Sequence, residues 1–212
     1  MSKHMVKGEG AQDTIAQILH VAARHFAEKG LAGARIDEIA ADAGVNKATI
    51  YYHIGGKSEL YTAVFRENMS LSAKRLFSNV AEADSAESKL VAYITTMVDN
   101  LIDNPCAAPL MLREMASGVD HIPEEALQSV VRMFTTLMDI LKQGQEEGVF
   151  RETNPAVTHL MIIGSIMFYA AGEPMRQKLQ SKFQDDLPKI EFATDGELAR
   201  QISDLLVHAL KN

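Results

Sequence analysis

The sequence lacks several features that define common classes of protein. It has a single cysteine, Cys106, which excludes an internal disulfide and a cysteine metal cluster. Its longest apolar run, around residues 156–171, contains His159 and is shorter than the roughly 20 residues that a membrane span needs. The N-terminal stretch MSKHMVKGEG has no apolar secretory core. We therefore expect a soluble cytoplasmic protein.

An excess of basic residues is also missing. The 212 residues carry a net charge of −7. Residues 1–60 hold seven Lys/Arg and seven Asp/Glu, so the whole acidic excess lies in residues 61–212. The charge balance therefore neither favours nor excludes contact between the first 60 residues and nucleic acid.

Helical periodicity is present in almost every segment, whereas alternating strand-like runs are absent. We predict an all-α fold, with a small N-terminal module over residues 11–70 and a larger C-terminal domain over residues 71–212. About nine helices are expected, with room for a short further one near 175–183. They lie near 13–29, 36–43, 47–53, from 57 past 77, 86–103, 106–117, 123–147, 155–171 and 195–210.

Residues 35–54, RIDEIAADAGVNKATIYYHI, have the pattern of a helix-turn-helix. Ala40 is small enough for two helices to cross steeply, and Gly44 tolerates the positive φ of a tight turn. If Val45 and Ile50 face inward, the other side chains of the second helix stay outside. Such a second helix enters the major groove of DNA. On the turn pattern alone, a helical hairpin without a DNA role is an equal alternative.

The surrounding residues favour the first interpretation. From about Ala11 to Phe65 the chain resembles the TetR family of bacterial transcriptional repressors, through HFAEKG, IDEIAADAGV and NKATIYYHIGGKSELYTAVF. The resemblance implies a homodimer that binds a palindromic operator through its N-terminal modules. It also implies a C-terminal domain for effector binding and dimerisation. Its DNA-facing places correspond to Lys47, Ala48, Thr49, Tyr51, Tyr52, His53 and Lys57.

Roles for these residues follow from their positions. Lys47 and Thr49 lie near the helix N-terminus, which penetrates deepest, so we predict base contacts for them. Tyr52, His53 and Lys57 lie later and are predicted to contact phosphate, Lys57 together with the NH groups of the helix that it begins. Arg35 stands where the family often has a hydroxyl residue, and it is a further phosphate candidate.

Two C-terminal helices predict a homodimer. The segment PAVTHLMIIGSIMFYAA, residues 155–171, is apolar on nearly all faces and must be buried on all sides. One side can meet the core of its own chain and another a second subunit. The helix near 195–210 carries a stripe of Leu198, Ile202, Leu205 and Ala209. The alternative is that both helices complete the core of a monomer.

An effector pocket is expected among the helices between 86 and 171. The predicted lining residues are Tyr93, Met97, Met111, Met115, Phe134, Met138, Met161 and Phe168. Their methionine content suits a sizeable apolar or aromatic small molecule, although such residues at helical spacing are more often plain core. Arg113 and Glu114 are interpreted as a surface pair, or else as a polar side of this pocket.

The predicted function is a ligand-responsive transcriptional regulator, a repressor that its effector releases from DNA. No nucleophile–base pair, metal-ligand spacing or phosphate loop is present, so we expect no catalytic residues, no metal and no cofactor. One alternative is an all-helical small-molecule-binding protein or enzyme with an apolar cavity and no DNA role. Another is a nucleoid-type DNA binder without an effector.

Overall fold

The computed structural model describes residues 5–183 and 195–211. These residues form ten α-helices and no strand, which confirms the predicted all-α fold; the short further helix is α9. The helices are α1 Met5–Gly33, α2 Ile36–Asp42, α3 Lys47–His53, α4 Lys57–Ala81, α5 Ala86–Asp103, α6 Ala107–Ser117, α7 Glu124–Glu146, α8 Pro155–Ala171, α9 Glu173–Lys182 and α10 Asp195–Leu210.

Helix α1 is longer than its sequence pattern predicts. It begins at Met5 instead of near residue 13, and helical structure resumes after the expected stop at Gly30. Gly30 has a φ of 67° and a ψ of 176°, which places a kink inside the helix. Because glycine has no Cβ, it adopts this backbone conformation at little steric cost.

The chain divides into two compact units. Among the described residues, the first unit takes those up to Met69 together with Pro109–Leu127, and the second takes the rest. The sequence placed residues 109–127 in the C-terminal domain, whereas the structure packs them with the N-terminal helices. The largest fully buried side chains of the first unit are Ile18, Phe26, Ile39, Ile50, Leu60, Tyr61 and Phe65.

In the second unit, α5 packs against both α8 and α10. Its buried residues include Leu90, Ile94 and Val98, and α8 contributes Ile162 and Ile166. The inward face of α10 consists of Ala199, Ile202, Leu206, Val207 and Leu210. The predicted stripe on α10 is therefore divided, since Ile202 is buried while Leu205 is 72% exposed.

Gly144 of α7 lies against the ring of Phe150, which is fully buried. A Cβ added at Gly144 would be only 2.0 Å from Phe150 Cδ2. Beyond the ring, the backbone of Phe150 forms an isolated antiparallel bridge with Lys211. The missing side chain at residue 144 thus makes room for a buried aromatic ring.

Candidate nucleic-acid interface

The helix-turn-helix forms as its residues predict. Ile36, Ile39 and Ala40 bury one face of α2, and Ile50 is the buried residue of α3. Gly44 adopts a φ of 66° in the turn between the two helices. The nonpolar contacts therefore fix α3 through one side only, which leaves its other sides outside.

Asn46 caps α3 with its side chain. Its Oδ1 accepts a 2.8 Å hydrogen bond from the backbone N of Thr49 and a 3.0 Å hydrogen bond from the Thr49 hydroxyl. An asparagine cap of this kind satisfies an NH group that would otherwise lack a partner at the first turn. The same contacts hold the Thr49 side chain in a defined position.

The side chains predicted to meet DNA lie mostly on the outside of α3. Lys47, Ala48, Tyr51, Tyr52 and His53 are exposed, and Thr49 is half-buried. Tyr52 is 84% exposed, and its ring meets the ring of His53 edge to face. Tyrosine is enriched at binding interfaces because its ring is apolar and its hydroxyl is polar, and the two adjacent exposed tyrosines of α3 fit such a surface.

Lys47 and Arg35 both lie beside one carboxylate. Lys47 Nζ is 2.8 Å from Asp37 Oδ1, and Arg35 Nη2 is 3.9 Å from Asp37 Oδ2. The Lys47 ammonium also lies 5.9 Å from the centre of the Tyr51 ring. Asp37 was not singled out by the sequence pattern, in which it reads as an ordinary acid at the start of a helix.

Lys57 was predicted to bind phosphate, but in the structure its ammonium group is hydrogen-bonded within the protein. Its Nζ donates 3.2 Å hydrogen bonds to the backbone carbonyls of Ala32 and Ala34. These carbonyls belong to the junction between α1 and α2, 23 to 25 residues earlier in the chain. Lys57 therefore joins the start of α4 to this junction, and its role toward phosphate stays a prediction.

Two sets of polar contacts join α2 to α1. Asp42 lies 2.8 Å from His25 Nε2 and 3.1 Å from Arg24 Nη2, and Glu38 pairs with Lys29. The hydrogen bond from His25 is the main cause that lowers the pKa of Asp42. Because the Lys29–Glu38 and Arg24–Asp42 pairs are well exposed, they contribute little, and the contact of α2 with α1 depends mainly on the apolar core and on the hydrogen bond between His25 and Asp42.

Helix α6 is fixed to the first unit by two adjacent charged residues. Arg113 donates 2.8 Å hydrogen bonds from Nε and Nη2 to the carbonyls of Ala27 and Glu28. Glu114 is only 3% exposed, and its Oε1 accepts a 2.7 Å hydrogen bond from the Tyr61 hydroxyl. The interpretation of Arg113 and Glu114 as a surface pair or pocket wall was therefore wrong for Glu114.

A signal for the buried Glu114 was present in the sequence. It follows Leu110 by four residues, and Leu110 is almost fully buried, so both lie on the inner face of α6. Its Oε2 also accepts a 3.2 Å hydrogen bond from the backbone N of His121. Burial, followed by the hydrogen bond to Glu114, raises the pKa of Tyr61.

The second unit exposes an apolar strip on the outer side of α8. It consists of Val157, Leu160, Met161 and Phe168, of which Phe168 is 74% exposed. On α10, Leu205 is exposed as well. Helix α8 is thus buried on one side only within its own chain.

A cavity of about 480 Å³ lies in the second unit among α5, α8, α9 and α10. Val98, Leu101 and Ile166 give it an apolar wall, and Arg176 and Gln177 of α9 contribute polar groups. Arg176 stacks over the ring of Tyr169 at 4.0 Å and donates a hydrogen bond to its carbonyl. The volume is in the range of small-molecule sites, roughly 300–1,000 Å³.

The eight residues predicted to line an effector pocket lie in different surroundings, and this cavity's lining does not include them. Tyr93 and Met97 are buried in α5. Met111 and Phe134 are half-buried. The other four, Met115, Met138, Met161 and Phe168, are exposed. Their role in ligand binding stays a prediction.

Two further classes of site were sought in the described part of the chain. It contains no group of three or more His, Cys, Asp or Glu side chains arranged to hold a metal ion. It also contains no single helix long and apolar enough to cross a membrane; α8 and α9 reach that length only as a pair with a 53° bend.

A helix-turn-helix with an exposed second helix, followed by a further helical unit, is typical of DNA-binding regulators. The sequence model described as "Bacterial regulatory proteins, tetR family" matches residues 18–64. The model described as "Tetracyclin repressor-like, C-terminal domain" matches residues 87–192.

Relatives and solved structures agree with these matches. The chain is 31% identical to the HTH-type transcriptional repressor SCO4008 of Streptomyces coelicolor over 171 residues, 78% of this chain and 82% of that protein. It is 27% identical to the HTH-type transcriptional repressor NicS of Pseudomonas putida over 213 residues, 97% of this chain and 96% of that protein.

The fold is similar to that of the ketosteroid transcriptional regulator KstR2 of Mycobacterium tuberculosis, with a TM-score of 0.74, 17% identity, and coverage of 93% of this chain and 95% of that one. It is also similar to AibR in complex with isovaleryl coenzyme A and operator DNA, with a TM-score of 0.64, 21% identity, and coverage of 93% and 98%. The chain belongs to the tetR family and is a DNA-binding transcriptional regulator.

Proposed function

We propose that this regulator is a homodimeric repressor that a small apolar or aromatic effector releases from a palindromic operator. The observation that carries the proposal is the outer surface of α3, where Lys47, Tyr51, Tyr52 and His53 are exposed while Ile50 alone is buried. Basic and aromatic side chains on one short helix suit contacts to phosphates and base edges. A protein acting on chromosomal DNA works in the cytoplasm.

The apolar strip on α8 supports the homodimer. A patch with Leu160 and Phe168 exposed is costly in water, and burying one such side chain contributes about 1.5–3 kcal/mol. Gly164 lies on the same face of α8, and apart from the backbone of its own helix nothing lies within 4 Å of the position of a Cβ, so a partner helix can approach closely. A homodimer also carries two recognition helices, one for each half-site of a palindromic operator.

The cavity among α5, α8, α9 and α10 is the proposed place for the effector. Its apolar wall favours an apolar body, and its polar side on α9 can orient a ligand. AibR, a protein of similar fold, was crystallised in complex with isovaleryl coenzyme A and operator DNA, which is an example of an organic ligand bound by such a fold. A ligand there controls DNA affinity only if it binds better to one of two conformations.

The repressor proposal is tested with DNA from upstream of the chain's own gene. Fluorescence anisotropy should detect saturable binding that a mixed-sequence duplex of the same length does not reproduce at the same salt concentration. Absence of any preference between the two duplexes would contradict operator recognition. It would leave the nucleoid-type binder as the better description.

Light scattering tests the dimer with two matched substitutions. Phe168→Asp places a charge in the apolar strip, and Leu71→Asp places one at an exposed apolar residue of α4 outside it. We expect the wild type and Leu71→Asp to be dimers at micromolar concentration and Phe168→Asp to be a monomer. A dimer that survives Phe168→Asp unchanged would contradict the assignment of this surface.

The effector site is tested by filling the cavity. Ala170 lines it, and Ala156 lies exposed at the other end of α8. The probe is the dye 1-anilinonaphthalene-8-sulfonate, whose fluorescence rises in apolar sites. We expect Ala170→Trp to lose the dye signal and Ala156→Trp to keep it; equal signals in the two variants would place the dye elsewhere.

A further inference from the structure

Asp37 stands beside the start of the recognition helix and contacts two basic residues predicted to touch DNA. Its Oδ1 lies 2.8 Å from Lys47 Nζ, and its Oδ2 lies 3.9 Å from Arg35 Nη2. The hydrogen bond to Lys47 is the main cause that lowers the pKa of Asp37, and it raises the pKa of Lys47 in turn. One carboxylate therefore faces both cations.

Fold stability gives little reason for this arrangement. The side chains of Arg35, Asp37 and Lys47 are all at least half exposed. Ion pairs in such positions contribute little to folding, because water screens the two charges. Asp37 also lies in the first turn of α2, where an acid favours the helix dipole, but Glu38 in the same turn has that effect too.

We propose that Asp37 competes with DNA phosphate for Arg35 and for Lys47, which is assigned here to phosphate instead of the base contact that its position predicted, and that Asp37 thereby limits the affinity of the recognition helix for any duplex. The inference rests on the proposed function, since it concerns the same interface. A phosphate that approaches Lys47 displaces the carboxylate, and the displaced carboxylate then repels neighbouring phosphates. Contacts to the backbone are weakened on every sequence, so contacts to base edges supply a larger share of operator binding.

The test compares two substitutions that remove the same charge from the same turn of α2. Asp37→Asn removes the carboxylate beside Lys47 and Arg35, whereas Glu38→Gln removes the one beside Lys29. Binding of both variants and the wild type to upstream DNA and to a mixed-sequence duplex is measured by fluorescence anisotropy from about 50 to 200 mM salt, the range over which phosphate contacts change affinity most visibly.

We expect Asp37→Asn to bind both duplexes more tightly than the wild type at low salt. One additional effective charge steepens the plot of log affinity against log salt by about 0.9 per module. The ratio of its affinity to that of the wild type should therefore fall as salt rises from about 50 to 200 mM. The fall should be about threefold for one module, or about tenfold for two modules bound to one duplex. Glu38→Gln should follow the wild type.

A second background tests whether Asp37 acts through Lys47. In Lys47→Met protein, the further change Asp37→Asn should give little gain, since only the more distant Arg35 remains. A full gain in that background would overturn the proposal. Weaker binding by Asp37→Asn than by the wild type would overturn it as well, because Asp37 would then contact DNA or position Lys47 for it.

The outcomes separate this inference from the proposed function. If the wild type binds its upstream DNA and Asp37→Asn has the wild-type salt dependence, only the inference is overturned. If the wild type binds neither duplex even at about 50 mM salt, where phosphate contacts are strong, both are overturned. Asp37→Ser, checked by circular dichroism, replaces Asp37→Asn if that variant does not fold.

Discussion

The hydrogen bond between Tyr61 and Glu114 allows a quantitative test of how α6 is held within the first unit. Both side chains are buried, and the Tyr61 hydroxyl lies 2.7 Å from Glu114 Oε1. A hydrogen bond to a charged group contributes about 1.5–3 kcal/mol. We therefore expect Tyr61→Phe to lower the free energy of unfolding by about that amount, because it removes this bond and little volume.

Glu114→Ala should lower the free energy of unfolding by at least as much as Tyr61→Phe does. It leaves the Tyr61 hydroxyl buried without its acceptor, a penalty of about 1–3 kcal/mol, and it also removes the acceptor of the His121 backbone NH. In the double variant the Tyr61 penalty disappears, since Phe has no hydroxyl. The double-mutant cycle should therefore give a coupling free energy of about 1.5–3 kcal/mol.

Urea unfolding followed by circular dichroism measures these values, at one fixed protein concentration because dimerisation shifts apparent stability. Tyr52→Phe is the control, since the Tyr52 hydroxyl is at the exposed end of a side chain that is 84% exposed. It should change the free energy of unfolding by less than about 0.5 kcal/mol. A coupling free energy below about 0.5 kcal/mol would refute the reasoning, because contacting pairs normally exceed it.

Three other substitutions test single features. Lys57→Ala should lower the free energy of unfolding by about 1–2 kcal/mol, since two backbone carbonyls lose a charged donor; a flatter salt dependence of DNA binding at unchanged stability would instead indicate phosphate contact. Burial lowers the pKa of His159, so the unfolded state binds more protons and stability falls as pH drops through about 6.5. His159→Phe should flatten that decline between about pH 5 and 7 in urea titrations, and an unchanged slope would contradict it. Gly144→Ala should destabilise the fold despite a helix-propensity gain of about 1 kcal/mol, because its Cβ would lie 2.0 Å from the Phe150 ring; a raised midpoint of thermal unfolding would count against this.

The helix-turn-helix could be predicted because its determinants are local. Ala40, Gly44 and Ile50 occupy fixed spacings within a dozen residues, and each has a steric reason for its place. The exposure of Tyr52 follows from the burial of Ile50, since a short helix has only one inner face. Sequence therefore predicted both the fold of the module and the outward side of α3.

The surroundings of individual side chains could not be predicted in the same way. The anchor of Arg113 lies 85 or 86 residues away in the chain, and no local pattern indicates such a contact. Methionine and aromatic residues were chosen as pocket candidates by residue type, which does not say which face of a helix they occupy. Phe168 illustrates this, since it lies outside on α8 while Ile166, two residues earlier, lines the cavity.

The cap of α3 determines whether the Thr49 hydroxyl can donate or only accept a hydrogen bond on its outer side. A hydroxyl that rotates can give or take a hydrogen, but this one gives its hydrogen to the Asn46 amide oxygen. Only lone pairs remain on its outer side. A base edge that forms a hydrogen bond with this oxygen in the major groove must therefore be the donor. The amino groups at cytosine N4 and adenine N6 are donors, whereas guanine O6 and thymine O4 are acceptors only.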